Sequence, residues 1–243
     1  MPRLVPIVMP LLLAVAAPVL ARAQAAPAPA TSAPAAPGGA SAPGAATTPA
    51  APAERIHIEG FRSAQWGMTE PQVKAAVQKD FNVAADKIRP EENLAERTTV
   101  LTVTVPDLLE GVGPGRVSYI FGFTSKKLIQ VNVLWGTPVD PQAAPEKIVA
   151  AANQLRQLFL DSSYEPETIA SNVRLNDGSV LVFEGADPDK HTTTLRLAVA
   201  AASQQKGKPD KVTPDKVTEA VLSLSYIMDA RNPDIYRLKK GQF

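Results

Sequence analysis

The chain has 243 residues, of which 25 are basic, 24 are acidic, two are histidine and none is cysteine. A chain without cysteine has no disulfide, no thiolate metal site and no cysteine nucleophile, and its balanced charge gives no electrostatic reason to expect nucleic acid as a partner. Any histidine-dependent chemistry must use His57 or His191.

Residues 1–23 have the three parts of a secretory signal peptide. Arg3 supplies a positive charge, an apolar stretch follows, and Ala21-Arg22-Ala23 has small residues where a signal peptidase reads the chain. The apolar stretch contains prolines and is at the lower length limit for a membrane span, which argues against an anchor. We therefore expect cleavage after Ala23, export to a bacterial periplasm, and a mature protein with no transmembrane anchor. That protein would carry 23 basic against 24 acidic residues, a net charge of −1.

Residues 24–54 are expected to form a disordered linker. From Gln24 to Ala53 the chain contains only Ala, Pro, Gly, Ser, Thr and Gln. This Ala/Pro-rich composition offers no large apolar side chain to bury, so it cannot offset the entropy lost on ordering. Such a tether would separate the folded body from the start of the chain, and its composition indicates no ligand.

Residues 55–140 are predicted to form a first α+β unit. Thr69 is suited to an N-cap, Gln72 completes a capping box, and the apolar spacing from Val73 to Phe81 predicts a helix over residues 70–81. Strands that are apolar on one face are expected to follow, with a Gly/Pro-rich loop between the first two. The strands are predicted at residues 101–105, 117–123 and 129–135, and the loop at residues 106–115.

Residues 141–243 are predicted to form a second α+β unit that packs with the first. A helix is expected over residues 145–160, and Asn176-Asp177-Gly178 is a turn signal between strands at 173–175 and 179–183. Later strands are expected near 194–202 and 217–228, with an exposed loop over 203–216 that contains a local repeat. The expected fold class is therefore α+β, with two units of one helix and a three-stranded antiparallel meander. Either a diverged tandem duplication or convergent patterning would produce it.

No catalytic constellation is recognisable in the sequence. Gly-x-Ser-x-Gly, Gly-rich phosphate loops and His-Glu-x-x-His are absent. His57 lies in an apolar, strand-like segment, which favours packing. His191 ends the run Asp187-Pro188-Asp189-Lys190-His191, where an Asp-Pro turn explains the acidic residues and Lys190 opposes a cation. We expect no catalytic residue, no metal site and no cofactor.

Arg62, Trp66 and Trp135 are the candidate binding residues, because Arg and Trp are frequent in binding hot spots. In the alternative interpretation, Trp135 ends an apolar strand face and Trp66 closes the end of the first helix, both as core residues. Residues 179–183 are the expected edge of the sheet, at which a partner strand could add.

A resemblance to known families is carried by Trp66-Gly67-Met68-Thr69 followed by Gln72-Val73. This segment resembles the helix entry of small exported bacterial proteins, among them the BamE/SmpA outer-membrane assembly lipoproteins and the β-lactamase-inhibitor-like proteins, some of which carry a helix-plus-meander unit in tandem. The body also resembles an uncharacterised group of exported proteins of Gram-negative bacteria with the same Gly60-Phe61-Arg62-Ser63 opening. The resemblance implies a binding or assembly module without catalysis, although the chain lacks the cysteine that a lipoprotein requires.

The function expected from the sequence is that of a non-enzymatic periplasmic binding or envelope-accessory protein. Its partner would be another envelope protein or a peptide, and not nucleic acid. The alternative is a periplasmic hydrolase whose carboxylates converge only in the folded chain. A deep pocket lined by two carboxylates would favour the hydrolase, whereas a flat exposed apolar patch would favour the binding protein.

Overall fold

An eight-stranded antiparallel sheet with two helices forms the body in the computed structural model, which describes residues 55–201, 217–238 and 241. The helices are α1 (Glu70–Phe81) and α2 (Pro145–Leu160), and both have the bounds that the apolar spacing predicts. The α+β class is therefore confirmed. Within the described ranges, neither helix combines the length and the apolar character needed to cross a bilayer. The predicted signal peptide and linker, and the whole of the predicted loop at 203–216, lie outside the described residues.

The strands form two meanders that meet in the middle of the sheet. Their order is β3-β4-β5-β6-β10-β9-β8-β7, and each neighbouring pair is antiparallel. A separate small hairpin, β1 and β2, precedes α1. The strands are β1 (Gly60–Phe61), β2 (Ala64–Gln65), β3 (Arg89–Asn93), β4 (Thr98–Leu109), β5 (Gly113–Phe121), β6 (Leu128–Gly136), β7 (Ala170–Arg174), β8 (Val180–Ala186), β9 (Thr192–Ala201) and β10 (Val217–Ile227).

Each meander has four strands, whereas the expected unit had three, although the sequence already indicated four strand segments in the second half. In the first meander, the strand that the sequence did not predict is β3. Its sequence Arg-Pro-Glu-Glu-Asn has no apolar alternation and is almost fully exposed. An outermost strand pairs on one side only and buries little, so it leaves no period-two signal.

The predicted loop over 106–115 is also shorter than expected. Strand β4 continues to Leu109 because an irregularity in its pairing after Val105 accommodates Pro106.

The predicted sheet edge at residues 179–183 is wrong. These residues lie in and next to β8, which pairs with β7 on one side and with β9 on the other. The true edges are β3 and β7. The short β3 presents Arg89, Pro90, Glu91 and Glu92, which are the charged and proline residues that oppose edge-to-edge association of sheets.

The core lies between one face of the sheet and the two helices. Phe159 of α2 packs on Phe183 of β8 with ring centroids 5.2 Å apart. Helix α1 lies over the same face, since its buried residues Val73, Ala76 and Val77 belong to one core with Tyr119 of β5. One cross-strand row of this buried face contains Val103, Val117, Val133, Leu224, Leu195 and Phe183.

The entry to α1 is attached to the beginning of β6. The side-chain carbonyl of Gln72 accepts the Thr69 N–H at 2.9 Å, as in a capping box. The Leu128 N–H donates to the carbonyl of Met68 at 2.8 Å, and the Gly67 N–H donates to the carbonyl of Leu128 at 3.1 Å. The segment that resembles the helix entry of exported proteins is therefore held to the first meander by backbone hydrogen bonds.

Replacing Gly136 with Ala is expected to lower the free energy of unfolding by more than about 2 kcal/mol. Gly136 lies opposite Val221 at the junction of the meanders with φ +100, and a Cβ there would overlap the carbonyl oxygen of Ala220. Gly178 is the matched control, since it has φ +84 and no atom within 4 Å of its Cβ position. Gly178→Ala should cost only about 1 kcal/mol. Denaturant unfolding measures both, and equal losses would show that the junction tolerates a side chain.

Candidate functional site

The three candidate binding residues have different neighbours. The Arg62 guanidinium lies over the ring of Phe81, 4.7 Å from its centroid. The half-buried Trp66 donates its indole N–H to the carbonyl of Ile58 at 2.6 Å. Trp135 is only 3% exposed and belongs to the core. Arg62 and Trp66 thus lie at the surface near the start of the body, whereas Trp135 packs inside.

The face of the sheet opposite the helices is lined by half-buried side chains. The register aligns one residue from each of six neighbouring strands in a row across the middle of this face, and every one has a hydrogen-bonding side chain. We call this set the polar row: Thr102, Ser118, Asn132, Ser225, Thr194 and Glu184.

Two further rows flank the polar row on the same face. They mix apolar and polar side chains, and together with the polar row they form what we call the open face. One flanking row is Val100, Ile120, Gln130, Ile227, Thr192 and Ala186. The other is Thr104, Arg116, Leu134, Ser223, Arg196 and Leu181.

The open face has three charged residues, and in the described parts of the chain the two arginines each bind an oxygen atom, whereas Glu184 has no cation paired with it. Arg116 donates to the carbonyl of Pro138 at 2.8 Å. Arg196 pairs with the carboxylate of Asp177. Glu184 forms no ion pair with any described residue. Burial raises the pKa of Glu184, and a hydrogen bond from the Thr194 hydroxyl offsets only part of that rise.

Both histidines of the chain meet the acidic residues of the loop between β8 and β9. His57 Nδ1 lies 3.2 Å from Asp189 Oδ2, and His191 Nδ1 lies 3.0 Å from Asp187 Oδ2. One possible ligand atom from each of His57, Asp187 and Asp189 lies within 4.8 Å of the other two, so these residues could hold a metal ion. We call His57, Asp187, Asp189 and His191 the His-Asp cluster. The sequence interpretation of His57 as a packing residue missed this convergence.

Asp187 is the buried centre of the His-Asp cluster. It is 1% exposed, and its two carboxylate oxygens accept the backbone N–H groups of Ile58 and His191, each at 2.8 Å. Trp66 binds the other side of Ile58 through its carbonyl, and its ring lies 5.9 Å from that of His191. A buried carboxylate thus attaches the start of the body to a loop about 130 residues away in sequence.

Two clefts in the described residues bear on the hydrolase alternative. One, of about 390 Å³, lies between residues 56–62 and the end of α2, and Glu59 is the single carboxylate in its lining. The other, of about 380 Å³, is lined by Asp107, Asp140 and Lys147 and has no histidine, serine or threonine in its lining. The second cleft supplies two carboxylates, the groups that the hydrolase alternative requires, beside the Lys147 amine.

Comparisons with known proteins give no relative. No protein-family model, curated protein or solved structure matches the chain. The resemblance of residues 61–73 to the helix entry of exported proteins therefore stays a prediction.

Replacing Asp187 with Ala is expected to lower the free energy of unfolding by about 2–3 kcal/mol, because the backbone N–H groups of Ile58 and His191 lose their acceptor in a buried position. Asp189 is the control, since its side chain is 63% exposed and bonds only His57 among the described residues. Asp189→Ala should change the value by less than about 0.5 kcal/mol. Urea unfolding with a chelator present compares them, and similar losses would contradict the structural role of Asp187.

Replacing Glu184 with Gln is expected to stabilise the protein at neutral pH but not at acidic pH. Because the folded-state pKa is raised above the ordinary 4.5, the folded protein holds this proton at pH values where the unfolded chain has released it. Folding stability therefore falls as pH rises from the ordinary pKa through the folded-state pKa, and Gln removes that loss. Unfolding at pH 4 and pH 7 tests this, with Glu91→Gln on β3 as the charge control. A gain that is the same at both pH values would contradict it.

Proposed function

We propose that this protein is a non-enzymatic binding protein that is exported to the periplasm and receives a segment of another protein on the open face of its sheet. The observation that carries the proposal is the polar row, in which six neighbouring strands present hydrogen-bonding side chains on a face opposite both helices. Such groups gain partners when a polypeptide with its own amides and polar side chains lies across them.

The size of the open face fits a protein partner. Six strands at a spacing of about 4.8 Å span about 24 Å, and this side of the sheet, of which the open face is one part, extends about 30 Å along strands of about nine residues. The resulting area of roughly 700 Å² approaches the roughly 800 Å² that each partner buries in a stable protein complex. Neither cleft described above is large enough to offer a comparable contact area to a macromolecule.

The composition of the open face also fits a protein. Apolar side chains in the flanking rows provide surface for the hydrophobic part of an interface, and the hydroxyl and amide groups of the polar row provide directional contacts. The apolar members are Val100, Ile120, Leu134, Leu181 and Ile227. Arg196 is paired with Asp177 and Arg116 is bonded to the carbonyl of Pro138, so a single uncompensated cation on this face could meet a nucleic acid.

Glu184 specifies the chemistry of the partner further. Its carboxylate is disfavoured in the folded protein, since burial raises its pKa and no described cation pairs with it. A lysine or arginine of the partner would restore the balance of charge at this position. The proposed ligand is therefore an extended or exposed polypeptide segment with a basic side chain opposite Glu184.

The arrangement of the two halves supports a diverged tandem duplication. Each half contains a helix, a short 3-10 helix (Ala85–Lys87 or Pro166–Thr168) and a four-stranded meander, in the same order. The last strands of the two halves, β6 and β10, pair antiparallel, as an approximate two-fold relation requires. Asn132 and Ser225 are directly paired across that junction, so the middle of the polar row belongs equally to both halves.

Site-specific photo-crosslinking in the producing cell tests the binding face. A photoreactive residue at Ser118 or Ser225 should give a defined protein adduct, and the same residue at the exposed positions Gln78 and Gln154 of the helices should not. Adducts from the helix positions alone, or none from the open face, would contradict the proposal. A dimer of the chain itself as the sole adduct would also contradict it.

Replacing Asn132 with Arg is expected to reduce the adduct formed at Ser118 at least about tenfold, because a large cation would then occupy the middle of the polar row and repel the partner's basic side chain. Gln154→Arg on α2 adds the same charge away from the face and should leave the adduct unchanged. Thermal unfolding of both variants checks that they fold. Equal adduct yield in the two variants would show that the partner binds elsewhere.

The hydrolase alternative depends on the cleft that contains Asp107 and Asp140. Purified protein would be tested against ester, glycoside and peptide substrates, together with Asp140→Asn. Turnover that is lost in this variant would replace the binding proposal with an enzymatic one. Absence of turnover with every substrate, together with open-face adducts, would support the binding proposal.

A further inference from the structure

We propose that the His-Asp cluster is a binding site for one divalent transition-metal ion of the zinc type, with His57, Asp187 and Asp189 as its ligands. The ion would fasten the start of the folded body to the loop between β8 and β9. The loop that carries this site joins β8 and β9, whose end residues Ala186 and Thr192 belong to the open face, but the metal proposal does not depend on the function proposed for that face.

The donor set suits zinc. Imidazole nitrogen combined with carboxylate oxygen favours Zn²⁺ and its neighbours over Mg²⁺ or Ca²⁺, which prefer oxygen alone. Bonds of about 2.1 Å in a tetrahedron separate neighbouring ligand atoms by about 3.4 Å. His57 Nδ1 and Asp189 Oδ2 are 3.2 Å apart, and one ligand atom from each of the three residues lies within 4.8 Å of the others. Only a small adjustment of the two exposed side chains is needed.

Asp187 is held in position before any ion arrives. Backbone N–H groups of Ile58 and His191 bind its two oxygens, and the His191 ring lies 3.0 Å from the same carboxylate. Partners of this kind orient a metal ligand and reduce the entropy lost on binding. His57 and Asp189 are more than half exposed and face the solvent, whereas the side chain of Asp187 is buried behind them.

The local charge also favours a cation. Asp187 and Asp189 place two carboxylates beside each other. Among the described residues, Lys190 does not neutralise either carboxylate through an ion pair. The sequence interpretation treated Lys190 as a barrier to a cation because it lies between the acidic residues and His191. In the structure Lys190 is an exposed turn residue with φ +70, and its N–H closes the turn onto the carbonyl of Asp187.

A metal at this position would close a long loop in a chain that has no disulfide. His57 and Asp189 are 132 residues apart in sequence, so their ligand atoms meet only in the folded chain. An ion that binds there therefore stabilises the folded state by an amount that grows with the logarithm of the ion concentration above the dissociation constant. At a zinc concentration about a hundredfold above the dissociation constant, the melting temperature should rise by roughly 5 °C.

The test uses the full chain, purified without a histidine tag and treated with a chelator that is then removed. Titration with ZnSO₄ in a calorimeter should show one ion bound per chain. His57→Ala and Asp189→Asn should each weaken binding at least about tenfold and abolish the zinc-dependent rise in melting temperature. Glu91→Gln, which removes an exposed carboxylate from β3, should bind as the wild type does. Co²⁺ binding, followed by its visible absorption, should give the spectrum of a tetrahedral site.

Several results would overturn the proposal. One is no zinc binding by the wild type, and another is unchanged zinc binding in both His57→Ala and Asp189→Asn. A third is that Glu91→Gln weakens zinc binding as much as these two variants do, which would indicate general attraction to surface carboxylates. The zinc-free melting temperatures of the variants separate loss of a ligand from loss of the fold, because both substituted side chains are exposed. Zinc binding and crosslinking from Ser118 are measured separately, so failure here is distinguishable from failure of the proposed protein partner.

Discussion

Strands β6 and β10 run antiparallel beside each other with a register from Gly136 opposite Val221 to Gln130 opposite Ile227. This pairing joins two meanders that would otherwise each expose a long unpaired edge. Because the joined strands are the last of their meanders, the shorter and more exposed β3 and β7 become the outer edges. The backbone positions at the junction are tightly constrained, as the glycine at 136 indicates, since any side chain there would meet the carbonyl of Ala220.

One continuous sheet has two continuous faces, and the period-two geometry of strands gives each face its own chemistry. On one face, valine, leucine and aromatic residues pack against α1 and α2. On the other, the same strands supply the polar row, from Thr102 in β4 to Glu184 in β8. The row exists only because the registers of five neighbouring strand pairs coincide, so a shift of one residue in β10 would separate Asn132 from Ser225 and divide it.

The start of the body is attached by a different kind of interaction. Asp187, carried on the loop after β8, accepts the N–H of Ile58, and Trp66 binds the carbonyl of that residue. Polar contacts around a buried carboxylate thus add to the apolar packing of Ile58 in holding the start of the body in place. The same carboxylate is the fixed ligand of the metal site that we propose, since its orientation is already set by the backbone of Ile58 and His191.

Local sequence signals determined the elements whose stability is local. The spacing of Val73, Ala76 and Val77 and the capping residues Thr69 and Gln72 were enough to predict α1, and the alternation in β4, β5 and β6 was enough to predict those strands. They also identified which residues of those strands face away from the core. Only the tertiary structure decided strand order, the identity of the edges, the alignment of the polar row and the meeting of His57 with Asp189. These depend on pairing between segments far apart in the chain, and the periodicity of a single segment carries no information about its neighbour across a sheet.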